Sequence, residues 1–252
     1  MSQTAPTSPA TSCVRCGAPT IRAHLMPRAF TRLVRDGDKH MEQFWAQGSR
    51  HSRVQSATYD EDILCRVCDG ILGRLDDYAV RFCRNVRSLK PVLGHYFIAH
   101  GADTAQLVRF AASIVWRASI SLRPEVAEFG LPSTVSKAFE DCAFGLSALA
   151  DWPKVAMARY ESQVFKNVEH FMMIPTPDQP LGRPFCCFAA GGFRWMVHLE
   201  IGDWPAGLQP APINGSPYVT GRMLLLERTS EFAQLRRVHG ENLAQKLPQR
   251  RP

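Results

Sequence analysis

Two pairs of cysteines, Cys13-Val14-Arg15-Cys16 and Cys65-Arg66-Val67-Cys68, constrain this chain more than any other feature. A two-residue spacer lets one tight turn aim both sulfurs at a single point, the geometry that a tetrahedral Zn²⁺ requires at a Zn–S distance of about 2.3 Å. The spacing predicts a four-cysteine structural zinc site made by Cys13, Cys16, Cys65 and Cys68. The segment between the pairs is longer than in a compact zinc ribbon, so the expected unit is a small ββα or treble-clef module. Redox motifs and disulfides are the competing meanings. Neither pair sits between a strand and a helix in a βαβ setting, and the Ser-, Thr- and Pro-rich first twelve residues have no apolar core of a secretory signal.

With 252 residues the chain is long enough to bury a substantial core, and 45% hydrophobic with 21% charged residues is the balance of an ordinary globular protein. A formal charge of +7 makes an acidic partner the expectation, nucleic acid first and an anionic membrane surface second. No apolar run approaches the roughly 18 residues of a membrane span. The expected compartment is the cytoplasm with reduced thiols, so Cys83, Cys142, Cys186 and Cys187 are read as small buried apolar residues.

Five stretches follow from pattern: a disordered tail over 1–12, the zinc module over 13–90, a helical region over 91–160, a β-containing region over 161–244, and a disordered tail over 245–252. The expected fold class is α+β, with a small antiparallel sheet towards the C-terminus. Thr20–Pro27 reads as a short extended segment. Arg28–Arg35 reads as a helix whose arginines at 28, 32 and 35 share a face, either solvated or in contact with phosphate. Arg50 and Arg53, in the loop before the second thiol pair, extend that basic set. From Asp69 an apolar stripe through Ile71, Leu75, Tyr78, Phe82 and Val86 predicts a helix that starts at the second pair. Asp103 or Thr104 caps a second long helix, with Trp116 packed inside and Arg109 and Arg117 at an edge. A third begins at Ser133, and Asp151-Trp152-Pro153 suggests the cap of a short fourth. Gly191-Gly192 between two apolar runs predicts a hairpin, and Arg222–Glu227 a further strand. His198 is expected to be a surface or hydrogen-bonded histidine of that hairpin.

At His24 the pattern resembles a known family. A Cys-x-x-Cys, then Ala23-His24-Leu25-Met26-Pro27, then Leu64-Cys65-x-x-Cys68 opening a helix, is similar to the zinc-stabilised HNH endonucleases of the ββα-metal fold. The resemblance covers about the first third of the chain. It implies that His24 acts as general base on a water attacking phosphorus, beside a divalent ion such as Mg²⁺ or Mn²⁺ distinct from the structural zinc. It further implies a nucleic-acid partner, with DNA favoured.

The sequence departs from the family at Ala23, where an Asp or His ligand usually stands. Asp60 and Asp69 are the oxygen donors near the second pair. His24 thus has three meanings: catalytic base, extra zinc-site or core histidine, and nucleic-acid contact. A non-catalytic zinc module that binds DNA, RNA or a protein partner is the alternative to a nuclease.

Overall fold

The computed structural model describes residues 12–35, 41–44, 51–54, 58–126, 129–147 and 152–239. The tails expected over 1–12 and 245–252 lie outside the described residues except for Ser12, as do the turn at Asp36-Gly37-Asp38 and Asp151. The chain is mixed α and β. Strand β1 (Ile21–His24) leads to helix α1 (Arg28–Arg35), then strands β2 (Met41–Phe44), β3 (His51–Val54) and β4 (Tyr59–Leu64), and helix α2 (Arg66–Val86). Strand β5 (Tyr96–His100), helices α3 (Thr104–Ile120) and α4 (Ser133–Phe144), strands β6 (Val155–Glu161), β7 (Met173–Asp178), β8 (Phe185–Ala190), β9 (Phe193–His198) and β10 (Tyr218–Leu225), and helix α5 (Ser230–His239) complete it.

Local chemistry sets the main helices. Cys65 is the N-cap of α2, and Leu72, Leu75, Ala79, Phe82 and Val86 form its buried stripe. Asp103 caps α3 by accepting from the Gln106 amide at 3.1 Å. Nearly every residue of α3 from Leu107 to Ala118 is buried, as its apolar residues on more than one face predict. None of the helices among the described residues is long and apolar enough to cross a membrane.

The sheet differs from expectation. It has six strands in the order β5-β10-β6-β9-β8-β7, and β10 runs antiparallel to β5 but parallel to β6. Both β5 and β6 fall in the stretch read as mainly helical. No short fourth helix starts at Trp152, because β6 begins at Val155. The predicted hairpin is present, with Gly191 at φ 63° and Gly192 at φ 84°, the left-handed pair that a type I′ turn needs. A glycine is also required at Gly221, where a Cβ would stand 2.1 Å from the Met157 carbonyl and 2.5 Å from the Phe97 ring.

One contiguous core joins these layers, from Cys13, Leu25 and Phe30 through α2 and α3 to Phe188, Trp195 and Val219 of the sheet. Aromatic rings carry it across: Phe30 lies 6.1 Å from Phe110, and Phe110 lies 5.0 Å from Trp195, which stacks on Phe188 at 5.6 Å. Cys83, Cys142, Cys186 and Cys187 are buried free thiols within these layers, as expected.

Candidate metal centre

The first thiol pair sits on a tight turn closed by the Gly17 amide donating to the Cys13 carbonyl at 2.9 Å. Strand β4 holds this turn in place, since the Val14 amide donates to the Ile63 carbonyl at 3.0 Å. The second pair opens α2, and the Cys68 amide donates to Cys65 Sγ at 3.5 Å. Antiparallel pairing of β1 with β4 brings the pairs together, with Ile21 opposite Leu64. The four sulfurs all lie within 4.8 Å of one another.

These distances suit a metal. Sulfurs at about 2.3 Å from a tetrahedral centre are about 3.8 Å apart, and Cys16 Sγ lies 3.5 Å from Cys65 Sγ and 3.8 Å from Cys68 Sγ. Cys13, Cys65 and Cys68 are buried and Cys16 is exposed, so the cluster has one open side. The Cys68 amide helps pull the Cys65 thiol down to about 7, whereas burial, with the neighbouring thiols, pushes Cys68 up to about 12. Four sulfurs this close can lose their protons together only to a cation, and the soft sulfur donor set suits zinc. Cys13, Cys16, Cys65 and Cys68 can therefore hold a metal ion such as zinc. The turn they form also docks on α4: Arg15 lies 3.7 Å above the Phe144 ring and pairs with Glu140 at 3.4 Å.

His24 ends β1, half-buried, with its ring 6.4 Å from that of Tyr59. Burial, then the charges of Arg28, Arg22 and Arg117, lower its pKa against the opposing effect of Asp76. A neutral imidazole under these cations can accept a proton at neutral pH. Arg22 stacks over Tyr59 at 3.3 Å, and Arg28 and Arg32 are exposed on α1. Arg35, on the same helix, is half-buried. Arg50 and the side chain of Arg53 lie outside the described residues.

The two aspartates occupy different surroundings. Asp60 is buried opposite Ala23, and its carboxylate accepts from the Ser121 hydroxyl at 2.6 Å and the Asp62 amide at 2.8 Å. Asp69 is half-buried on α2, and burial raises its pKa. Neither belongs to a converging group of metal-ligating side chains; among the described residues the four cysteines form that group.

Sequence reasoning missed the pair that supports His24 from below. Arg117, expected at an edge, is 1% exposed and grips Asp76 through two nitrogens at 2.7 and 3.1 Å while donating to the His24 carbonyl at 3.0 Å. One available signal was the seven-residue spacing of Asp69 and Asp76, which places both on one face of α2. His198 also differs from expectation: it is 3% exposed, stacked on Phe185 at 4.7 Å, and among the described residues neither ring nitrogen has a hydrogen-bond partner. Comparison of the chain with protein-family models, curated proteins and solved structures finds no match in any of the three.

Proposed function

We propose that the chain is a zinc-stabilised, HNH-like protein that engages nucleic acid through the surface around His24. The observation that carries this is the setting of His24, an imidazole on the strand beside the thiol cluster, with the exposed Arg22 and Arg28 close enough for their charges to lower its pKa. Strand β1 pairs with β4, which leads into α2, a strand–strand–helix arrangement of the kind the resemblance implies, with α1, β2 and β3 between the two strands. Phosphate is the ligand that such a combination of guanidinium groups and an imidazole recognises.

Binding takes precedence over cleavage in this reading. A hard-cation site needs several converging oxygens, and Ala23 supplies none, Asp60 is engaged by Ser121 and Asp62, and Asp76 is engaged by Arg117. The residues present do not fit Mg²⁺ or Mn²⁺, so no hydrolytic step is derived through either ion.

The test uses the zinc-loaded full chain with a fluorescent DNA duplex, and a supercoiled plasmid with Mg²⁺ or Mn²⁺. Duplex binding that weakens steeply with salt, with Arg28→Gln/Arg32→Gln binding less tightly, supports the reading. Absence of binding at low salt overturns it. Nicking by wild type that is lost in His24→Ala would promote the nuclease over the binding module.

A further inference from the structure

We infer that the outer face of α2 is a docking ridge for the sugar–phosphate backbone of a double helix. The inference rests on the nucleic-acid reading above and assigns it a second surface, separate from the arginines of α1. Arg66, Arg74, Arg81 and Arg84 are all exposed on α2. At 3.6 residues per turn their positions fall within an arc of about 80°, so they share one face of the helix. The row extends over about 27 Å, from the rise of about 1.5 Å per residue between positions 66 and 84.

Exposed arginines on a helix are usually balanced by carboxylates three or four residues away. Here none of the four has an ion pair among the described residues, whereas Arg87, one turn further, is held by Glu169 at 2.7 Å. Asp77, three residues from Arg74 and four from Arg81, is exposed, and Asp69, three residues from Arg66, is half-buried; neither has an ion pair among the described residues. The face thus carries four exposed cations, with Asp77 near its middle and the half-buried Asp69 beside its first member.

The residues between the arginines keep the ridge low. Gly70 and Gly73 lie on the same side, in helical conformation, and a Cβ at either would meet nothing within 4 Å. Glycine inside a helix is unfavourable by about 1 kcal/mol relative to alanine. Internal packing requires neither residue, whereas a bulky rigid partner lying along the helix does benefit from the space. The charges carry the assignment, and the glycines explain how a backbone comes close enough to meet them.

The charge pattern selects the occupant. A duplex presents a regular line of phosphates at about one charge per 1.7 Å of axis, and guanidinium groups pair with phosphate through two parallel hydrogen bonds. A band of cations about 27 Å long is matched by such a line. An acidic polypeptide would have to be stretched along the helix, with the ordering entropy that entails.

The test measures binding of a 30-base-pair fluorescent duplex by the zinc-loaded full chain over a salt series, for wild type, Arg74→Gln/Arg81→Gln, Asp77→Asn and Arg28→Gln/Arg32→Gln. Gln keeps helix propensity close to that of Arg, and matched circular dichroism and zinc content establish that each variant is folded. The expected result is binding weakened on the order of tenfold or more by Arg74→Gln/Arg81→Gln, with a salt slope lower by about 0.9 per lost contact. Asp77→Asn is expected to tighten binding several-fold. Wild-type binding that Arg74→Gln/Arg81→Gln leaves unchanged while Arg28→Gln/Arg32→Gln reduces it would overturn the ridge and keep the nucleic-acid reading. No wild-type binding overturns both. Polyglutamate that displaces the duplex as well as unlabelled duplex does, at equal charge concentration, would reassign the face to an acidic protein and overturn the inference.

Discussion

Gly191 rests directly on Phe30: a Cβ at Gly191 would stand 2.7 Å from the Phe30 Cε1 and 2.9 Å from the Cys83 Cβ. The tip of the β8–β9 hairpin is thereby seated on α1 and on α2, the helix that the second thiol pair opens. Gly191→Ala meets two obstacles, the left-handed φ of 63° and a ring with neighbours on its other side. The expected loss is about 1–3 kcal/mol in a denaturant titration. A variant as stable as wild type would show that the hairpin tip is not held against Phe30.

Metal content gives the second prediction. The purified, reduced chain should carry one zinc held by Cys13, Cys16, Cys65 and Cys68, measured by elemental analysis against protein concentration. Cys16→Ser should lose it and unfold at a lower temperature, because the free energy of zinc binding, about 10–16 kcal/mol in small zinc modules, then no longer ties β4 and α2 to the first turn. Cys142→Ala, a buried thiol on α4, should retain full zinc. A strong chelator should reproduce the Cys16→Ser effect in wild type.

The Arg117–Asp76 pair carries the third. Arg117 is 1% exposed and its guanidinium also donates to the His24 carbonyl at 3.0 Å, so losing one partner leaves a buried charge alone. Asp76→Asn and Arg117→Met should each cost about 3–5 kcal/mol. Replacing both, as Asp76→Leu/Arg117→Met, should cost distinctly less than the sum of the two single changes. Additive costs in the double-mutant cycle would show that the pair is not coupled.

What was legible in the sequence was local. Cysteine spacing, the α2 stripe, the Asp103 cap and the Gly191-Gly192 turn each depend on residues a few positions apart, where turn geometry and helical period act directly. What was hidden depends on distant partners. Strand β5 exists because Phe97 lies beside Gly221, and β6 because it is sandwiched between β9 and β10; neither short apolar run distinguishes strand from helix by its own period. Arg117 looked like an edge residue because its partners, Asp76 and the His24 carbonyl, are remote in sequence. The thiol cluster of the candidate site was readable from spacing, but whether Asp60 is free to bind a metal depended on Ser121, which nothing in the local pattern connects to it.

His198 provides a pH-dependent prediction. Its buried ring stacks on Phe185 and meets the Trp204 ring at 6.3 Å, and burial lowers its pKa, with Arg183 acting in the same direction and Glu200, 3.8 Å away, opposing both. The native state therefore holds a neutral ring while the unfolded chain takes up a proton near the ordinary value of about 6.5. Unfolding binds protons below that pH, so the stability tied to His198 is fully present above about 6.5 and falls as pH drops towards the lowered native value. His24 is shifted in the same direction and adds to the slope. His198→Phe, which keeps a ring against Phe185, should flatten the loss of stability between about pH 6.5 and 5 without removing it, since His24 remains. Zinc release in acid has the same sign, so wild type and variant are to be compared by denaturant titration at equal, saturating zinc. Parallel pH curves would mean that His198 titrates alike in the folded and unfolded chain, contrary to its burial against Phe185.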